Sequence, residues 1–178
     1  MKKLLKWLLF PGLDLHTRCR YRWLPPLFIP GPIETLDVGF GNGAFSFAAA
    51  RKGNRVTSVS MDQGQVDKAR AFFGSGSGKI NFVCLNAYKL QDLGKNFDQI
   101  ICLEALEHMS DDKRIIRLFS DILRPGGLFS CAALTRSTQS TTWEGRTVQR
   151  MVGMCVMDTL WSPIARCSNR SALLLKSI

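Results

Sequence analysis

The sequence contains no apolar run long enough to cross a bilayer, no internal repeat, and no Cys-x-x-Cys pair among its six cysteines. It has only two histidines, His16 and His108, and they stand far apart. Metal-ligand spacing is therefore missing, and no metal is expected. Without paired spacing, the cysteines do not read as a disulfide framework either. Cys84, Cys102 and Cys131 fall in predicted strands and read as buried free thiols of a reducing compartment, so a cytoplasmic setting is expected. Charged residues make up 21% of the 178 and apolar residues 46%, which are the proportions of a globular chain with one buried core.

Charge is unevenly placed. Residues 1–32 hold six Lys and Arg against one acid, residues 33–134 hold twelve against eleven, and residues 135–178 hold six against two. The net +10 thus sits mainly at the two ends. Basic ends suit nucleic acid, acidic lipid or an anionic substrate. No RNA-binding signature accompanies them, and no Asn/Asp-Pro-Pro-aromatic motif for base amines occurs, so nucleic acid is not the expected partner. Between Met1 and Phe10, three lysines interleave with Leu4, Leu5, Trp7, Leu8 and Leu9. Lys6 interrupts the apolar run and no small-residue cleavage site follows, which argues against a secretory leader. The segment reads either as a peripheral contact with an anionic membrane or as a short arm packed on the domain.

Five of the seven prolines lie in residues 1–32, which form a basic, Pro-rich N-terminal arm, extended apart from one short helix. From Ile33 the pattern becomes regular. Strands are predicted at Ile33–Val38, Arg55–Ser60, Ile80–Leu85, Phe97–Leu103 and Leu128–Leu134. Helices are predicted at Ala44–Lys52, Gln63–Phe73 and Asp111–Leu123. Gly74–Gly78 reads as a flexible loop, the stretch up to Asn96 as a polar connection, and Arg124–Gly127 as a turn. Strand and helix alternate over residues 33–134, which predicts an α/β, doubly wound, mostly parallel sheet with ligands at the carboxyl ends of its strands.

Between the first strand and helix lies Gly39-Phe40-Gly41-Asn42-Gly43-Ala44, which also fits the dinucleotide fingerprint. Glycines there let backbone approach a ligand, and the helix beyond offers unpaired N–H groups. The turn alone says nucleotide-like cofactor. Asp37, two residues before Gly39, favours a ligand with an ammonium group over a pyrophosphate.

Leu36-Asp37-Val38-Gly39-Phe40-Gly41-Asn42-Gly43 resembles the first motif of class I S-adenosylmethionine-dependent methyltransferases. Phe97 to His108, with Glu104-Ala105-Leu106-Glu107-His108 at its end, resembles their fourth-strand motif. Leu123-Arg124-Pro125-Gly126-Gly127-Leu128 resembles the turn before their fifth strand. The likeness covers residues 33–134 and is closest to the small-molecule group with a Glu-x-Leu-Glu-His signature. It implies a Rossmann-like core, S-adenosyl-L-methionine as cofactor, and a small-molecule methyl acceptor.

The resemblance also implies roles. Gly39, Gly41 and Gly43 would line the methionine part of the cofactor, with Asp37 holding its amino group directly or through water. Ser60 stands where the family has an acid for the ribose, so either Asp62 or Gln63 would substitute there, or Met61 would pack on the adenine. Asn86 and Ala87 would read the adenine edge. Leu103 and Glu104 would lie where the fourth strand opens into the cleft, Leu103 on the cofactor side and Glu104 contacting the acceptor or shaping its pocket, with Glu107 and His108 as acid–base candidates. Each has a structural alternative, Asp62 as a helix cap, Asn86 as a turn residue, and Glu107-His108 as a hydrogen-bonding corner.

After Leu134 the family pattern calls for a helix and an antiparallel hairpin. Only 44 residues follow. A helix is expected over Thr142–Trp161, with one strand at Leu173–Leu175. Residues 135–178 thus read as a basic, atypical or truncated segment, without the hairpin and with the fifth strand's edge uncovered. Alternatives are a cofactor-binding remnant or regulatory partner without turnover, an NAD(P)-dependent oxidoreductase, and an RNA methyltransferase.

Overall fold

The structure is a computed structural model. It describes residues 10–12, 15–74, 79–132, 140–143, 146–149 and 155–158. Met1–Leu9, the loop over 75–78 and the strand proposed at 173–175 lie outside the described residues.

Along the chain run α1 (Leu15–Trp23), β1 (Glu34–Val38), α2 (Ala44–Arg51), β2 (Arg55–Ser60), α3 (Gln63–Phe73), β3 (Ile80–Cys84), β4 (Phe97–Leu103), α4 (Asp112–Ile122), β5 (Leu123–Ala132), β6 (Ser140–Trp143), β7 (Arg146–Gln149) and β8 (Cys155–Asp158). The main sheet has the order β3-β2-β1-β4-β5-β8. Its first five strands are parallel, and order reverses beside β1, so β1 and β4 diverge at a switch point. This is the α/β Rossmann-like architecture that the alternation predicts.

Both faces of the sheet are covered. On one, Leu36, Val38, Ile100 and Phe129 pack against Ile115, Leu118, Phe119 and Ile122 of α4. That helix is amphipathic, and Asp111 caps it by accepting the Arg114 N–H at 3.0 Å. On the other face Val56 and Ile101 meet Ala48, Ala49, Leu24 and Phe28. A third cluster gathers Phe40, Val66, Ala69, Phe73 and Phe82 under α3, with Phe10 against it.

Buried polar side chains fix the lead-in to the sheet. Asn54, fully buried, donates to Ile29 O and Gly31 O, each at 2.9 Å. Gln99 Oε1 accepts the Ile29 N–H at 2.8 Å. Asp98 accepts from Glu34 N and Arg124 Nη1, each at 2.8 Å, and so ties β1, β4 and β5 together at the edge opposite the glycine turn. These pairings satisfy groups that would otherwise be costly to bury.

Four expectations change. The connection before Asn96 is a helical 3-10 segment (Ala87–Leu93), because Leu90 needs burial and is fully enclosed. Arg124–Gly127 lies inside β5 as an irregularity, with Gly126 at φ 77°, since pairing resumes on both sides of it. Cys84 is exposed, because β3 is an edge strand, whereas Cys102 and Cys131 are buried. Finally, no helix spans Thr142–Trp161. Strands β6, β7 and β8 stand there instead, and β8 runs antiparallel along Leu128–Cys131. Thr141, Thr142, Trp143, Val148 and Val156 favour extended backbone, and the outer edge of β5 offers it unpaired groups to bond. That edge is therefore covered over those four residues.

Candidate cofactor site

The carboxyl ends of β1, β2, β3 and β4 meet along one rim, because Val38 is level with Val59 and Cys102, and Ser60 with Cys84. The glycine turn rises from β1 at its centre. Gly39 and Gly43 are packing positions. A Cβ on Gly39 would lie 2.5 Å from Ala105 Cβ, and one on Gly43 would lie 2.5 Å from the Phe73 ring. Gly41 is different. It is exposed at φ 56°, and a Cβ there would meet nothing within 4 Å. The space over Gly41 is a cradle facing outward.

Asn42 closes the turn. Its Oδ1 accepts the Ala44 N–H at 3.0 Å, and its Nδ2 donates to Pro11 O at 2.5 Å. The second bond brings residues 10–12 alongside the turn. Between this segment and α3 lies a cavity of about 560 Å³, lined by Gly41, Asn42, Asp62, Gln65, Lys68 and Phe72 among others.

Asp37 sits beneath the turn, 2% exposed. It accepts the Ser46 hydroxyl at 2.5 Å and the Ser46 backbone N–H, and Ser58 Oγ donates to Ser46 Oγ at 2.9 Å. Burial pushes its pKa up to about 7 from 3.8, against the lowering effect of the Ser46 bonds. The N-terminal end of α2 thus already holds a carboxylate of the chain itself. A pyrophosphate would have to share that end with a buried acid, whereas an ammonium would be drawn to it.

At the end of β2, Ser60 is half-buried and its Oγ accepts the Asp62 N–H at 3.2 Å. Met61 is 79% exposed. Asp62 caps α3, with Oδ1 accepting the Gln65 N–H at 3.2 Å. Beyond β3, Asn86 Oδ1 accepts the Tyr88 N–H at 2.9 Å, with Ala87 half-buried beside it. Asp62 and Asn86 therefore both have the turn-and-cap roles, and both stand on the rim.

After β4, Leu103 is 9% exposed and packs with Leu24 and Phe28. Glu104 adopts φ 52°, uncommon for a residue with a side chain, and pairs with Arg20 of α1. Ala105 lies under Gly39. Glu107 and His108 are exposed in a short 3-10 turn, where His108 N–H closes on Ala105 O at 3.1 Å. The rim brings together Gly41, Ser60, Met61, Asp62, Asn86 and Glu104. Sequence reasoning missed Arg20, Ser46 and Ser58. Ser46 could have been found as the one hydroxyl on a helix that is otherwise apolar up to its terminal Arg51.

The methyltransferase domain family matches residues 36–131, more than half of the chain. The chain belongs to that family. The domain's sequence is 34% identical over 108 residues to the ubiquinone biosynthesis O-methyltransferase of Idiomarina loihiensis, covering 60% of this chain and 44% of that protein. The corresponding enzyme of Coxiella burnetii is 34% identical over 104 residues, 58% and 44% of the two chains. The chain thus spans less than half the length of these curated relatives. Among solved structures, the 4+2 cyclase SpnF superposes with a TM-score of 0.61 at 24% identity, over 68% of this chain and 47% of that one. A coclaurine N-methyltransferase bound to N-methylheliamine and SAH superposes at 0.57 with 20% identity, over 66% and 36%. These two likenesses establish the fold, and a fold alone does not fix the reaction.

S-adenosylmethionine is the cofactor of this methyltransferase family. The residues present fit it. Gly41 leaves open space above the turn, Asp37 is a buried acid at the end of β1 of the sign an ammonium requires, and Ser60, Asp62 and Asn86 carry oxygen atoms on the rim. The departure is Ser60, a neutral hydroxyl in place of a carboxylate.

Proposed function

We propose that this chain binds S-adenosylmethionine across the rim and directs its methyl group to a small-molecule acceptor. The observation that carries the reading is Gly41, an exposed left-handed glycine with open space above it, next to a buried carboxylate already seated at the α2 N-terminus. That pairing suits a zwitterionic sulfonium nucleoside and opposes a dinucleotide.

When bound, the cofactor supplies an electrophilic methyl group on a sulfonium. The chain's own part is to hold and orient. Gly39, Gly41 and Gly43 shape the surface under the methionine part, and Asp37 provides negative potential below it in a low-dielectric interior. Ser60 would donate or accept one ribose hydrogen bond, Asp62 would offer a carboxylate beside it, and Met61 would cover the base. Asn86 Oδ1, which also accepts the Tyr88 N–H, and the Ala87 N–H would serve the adenine edge. The acceptor would approach beside Glu104, at the end of β4. Where its nucleophile is a hydroxyl, His108 offers an imidazole nitrogen to take the proton, with Glu107 beside it. Orientation of two reactants accounts for roughly 7–11 kcal/mol of barrier lowering in well-aligned cases, enough for this chemistry without a metal. The relatives named for ubiquinone biosynthesis support an oxygen nucleophile.

A second reading, cofactor binding without turnover, is favoured by Ser60 and by the use of Asp62 and Asn86 as caps. Calorimetry with S-adenosylmethionine, S-adenosylhomocysteine and NADH, followed by a methyl-transfer assay with phenolic acceptors, tests both. The first reading expects uptake of the two adenosyl compounds, none of NADH, loss of uptake in Gly41→Arg, and transfer. Binding without transfer selects the second, and binding of NADH alone overturns both.

A further inference from the structure

Helix α1 divides its side chains between two tasks. Arg20 and Tyr21 turn toward the domain: Arg20 pairs with Glu104, and Tyr21 lies 5.8 Å from the Phe10 ring and 5.9 Å from Phe45. Arg18, Cys19, Arg22 and Trp23 are exposed. Separated by one, four and five residues, they share one face of the helix. Trp23 is 58% exposed, and the only other large apolar side chain so exposed among the described residues is Met61, on the cofactor rim. The Arg22 guanidinium stands over the Trp23 ring, 5.9 Å from its centre. An arginine beside an exposed indole is the pairing that settles at the headgroup level of a bilayer, where the ring is half apolar and the cation meets phosphate.

Charge and chain path point the same way. Residues 1–32 carry six basic side chains and one acid. Arg18 Nε donates to Gly12 O at 2.8 Å, and Phe10 seats against Phe47, Phe72 and Phe73 as well as Tyr21. The chain therefore passes α1 directly after a stretch whose sequence holds Lys2, Lys3 and Lys6 among Leu4, Leu5, Trp7, Leu8 and Leu9. Basic and apolar side chains in alternation bind anionic lipid through both charge and burial, whereas a nucleic acid would use the charge and leave the aliphatic residues in water.

We propose that the exposed α1 face formed by Arg18, Arg22 and Trp23 docks on an anionic membrane surface. The face lies outside the residues assigned to the cofactor, so docking and methyl transfer are separable by experiment.

The test uses the full chain and sedimentation with vesicles of phosphatidylcholine, with or without phosphatidylglycerol, in the absence of cofactor. Binding is expected to the vesicles containing phosphatidylglycerol, to weaken as salt is raised, and to be slight on phosphatidylcholine alone. Arg22→Glu is expected to lower partitioning at least about fivefold, with Trp23→Ala also weakening it and Arg22→Gln falling between wild type and Arg22→Glu. Arg117→Glu on α4 is the charge-matched control and is expected to change partitioning less than Arg22→Glu. All four variants alter exposed side chains, and unchanged melting temperatures confirm that they fold. The proposal is overturned if the protein ignores anionic vesicles or if Arg22→Glu and Arg117→Glu weaken binding equally. It also fails if Arg22→Glu abolishes binding to a single-stranded RNA oligomer while leaving vesicle binding intact. Each of these outcomes leaves the cofactor reading untouched.

Discussion

Ser46 reaches from the first turn of α2 to Asp37 at the end of β1, and its hydroxyl donates to Asp37 Oδ2 at 2.5 Å. The strand and helix flanking the glycine turn are thereby pinned by a buried acid with a pKa near 7. Because that value lies above the 3.8 of an ordinary aspartate, the folded protein holds a proton between the two values that the unfolded chain releases. The group therefore favours folding most below the unfolded value. Its contribution falls as pH rises toward 7 and is constant above. Asp37→Asn is expected to remove this slope, so that the variant gains stability relative to wild type as pH rises to neutrality. Cofactor binding is expected to show the opposite trend. Affinity in wild type rises with pH through about 7 as Asp37 ionises, up to the pH at which the cofactor's own amine loses its proton. In Asp37→Asn the affinity is weaker and lacks that rise. Calorimetry and chemical denaturation across pH check both. A stability slope that persists in the variant would assign the titration to another group.

Gly41 and Gly43 separate cofactor approach from packing. Gly43→Ala places a Cβ 2.5 Å from a Phe73 ring that is itself buried, at φ 80°. Backbone strain of about 1–2 kcal/mol and overpacking of about 1–3 kcal/mol add there, giving a loss of roughly 2–5 kcal/mol in stability. Gly41→Ala incurs only the backbone strain, since nothing stands within 4 Å of the new atom. Thermal denaturation is expected to rank Gly43→Ala well below Gly41→Ala. Titration with S-adenosylhomocysteine is expected to find Gly41→Ala impaired while it remains folded.

The parallel core was legible because its signals are local and repeat. The runs Arg55–Ser60 and Phe97–Leu103 and the periodic helix Gln63–Phe73 fall where the structure has them. The glycine turn was legible because only glycine tolerates both its φ values and the contacts with Ala105 and Phe73. Segments whose structure depends on distant partners were not legible. Leu90 forms a helical turn because α4 and the sheet enclose it, and Cys84 is exposed because β3 is the edge strand of the sheet among the described residues. The apolar spacing over 142–161 suits a helix as well as strands, and the free edge of β5 decides for pairing. Arg20 carried no signal at all, since its partner Glu104 lies 84 positions away in the sequence.

Ser60 is the weak point of the cofactor rim and can be strengthened. A hydroxyl makes a neutral hydrogen bond of about 0.5–1.5 kcal/mol, whereas bonds to a charged acceptor reach about 1.5–3 kcal/mol. Ser60→Asp is therefore expected to tighten S-adenosylhomocysteine binding roughly 5- to 30-fold. The new carboxylate retains an oxygen able to accept the Asp62 N–H. If Ser60→Asp instead leaves affinity unchanged, Asp62 already supplies the ribose contact. Asp62→Asn would then be the variant that loses it.

The thiols report on the sheet order. Cys19 and Cys84 are exposed, and Cys102 and Cys131 are buried as neighbours on β4 and β5. The Cys131 thiol hydrogen-bonded to Cys102, together with burial, pushes the Cys102 pKa well above its ordinary value. Alkylation of the native protein followed by peptide mass spectrometry is expected to label Cys19 and Cys84 within the time that leaves Cys102 and Cys131 intact. Denaturant should open all four. Protection of Cys84 in the native state would mean that something covers the β3 edge.

His108 allows the two readings of the Glu104-to-His108 motif to be separated. A general base that accepts a hydroxyl proton typically contributes 10²- to 10⁴-fold to rate, while a residue that only shapes a turn contributes far less. His108 is exposed, and the bond that closes its turn is made by its backbone N–H, which any replacement except proline keeps. His108→Ala is therefore expected to fold normally and to bind S-adenosylhomocysteine as wild type does. If transfer goes to a phenolic hydroxyl that is neutral at the assay pH, the rate should fall about 100-fold or more, and the loss should shrink for acceptors acidic enough to arrive already ionised. A variant as active as wild type on both kinds of acceptor would place His108 outside the chemistry and leave Glu107, beside it in the same motif, as the acid–base candidate.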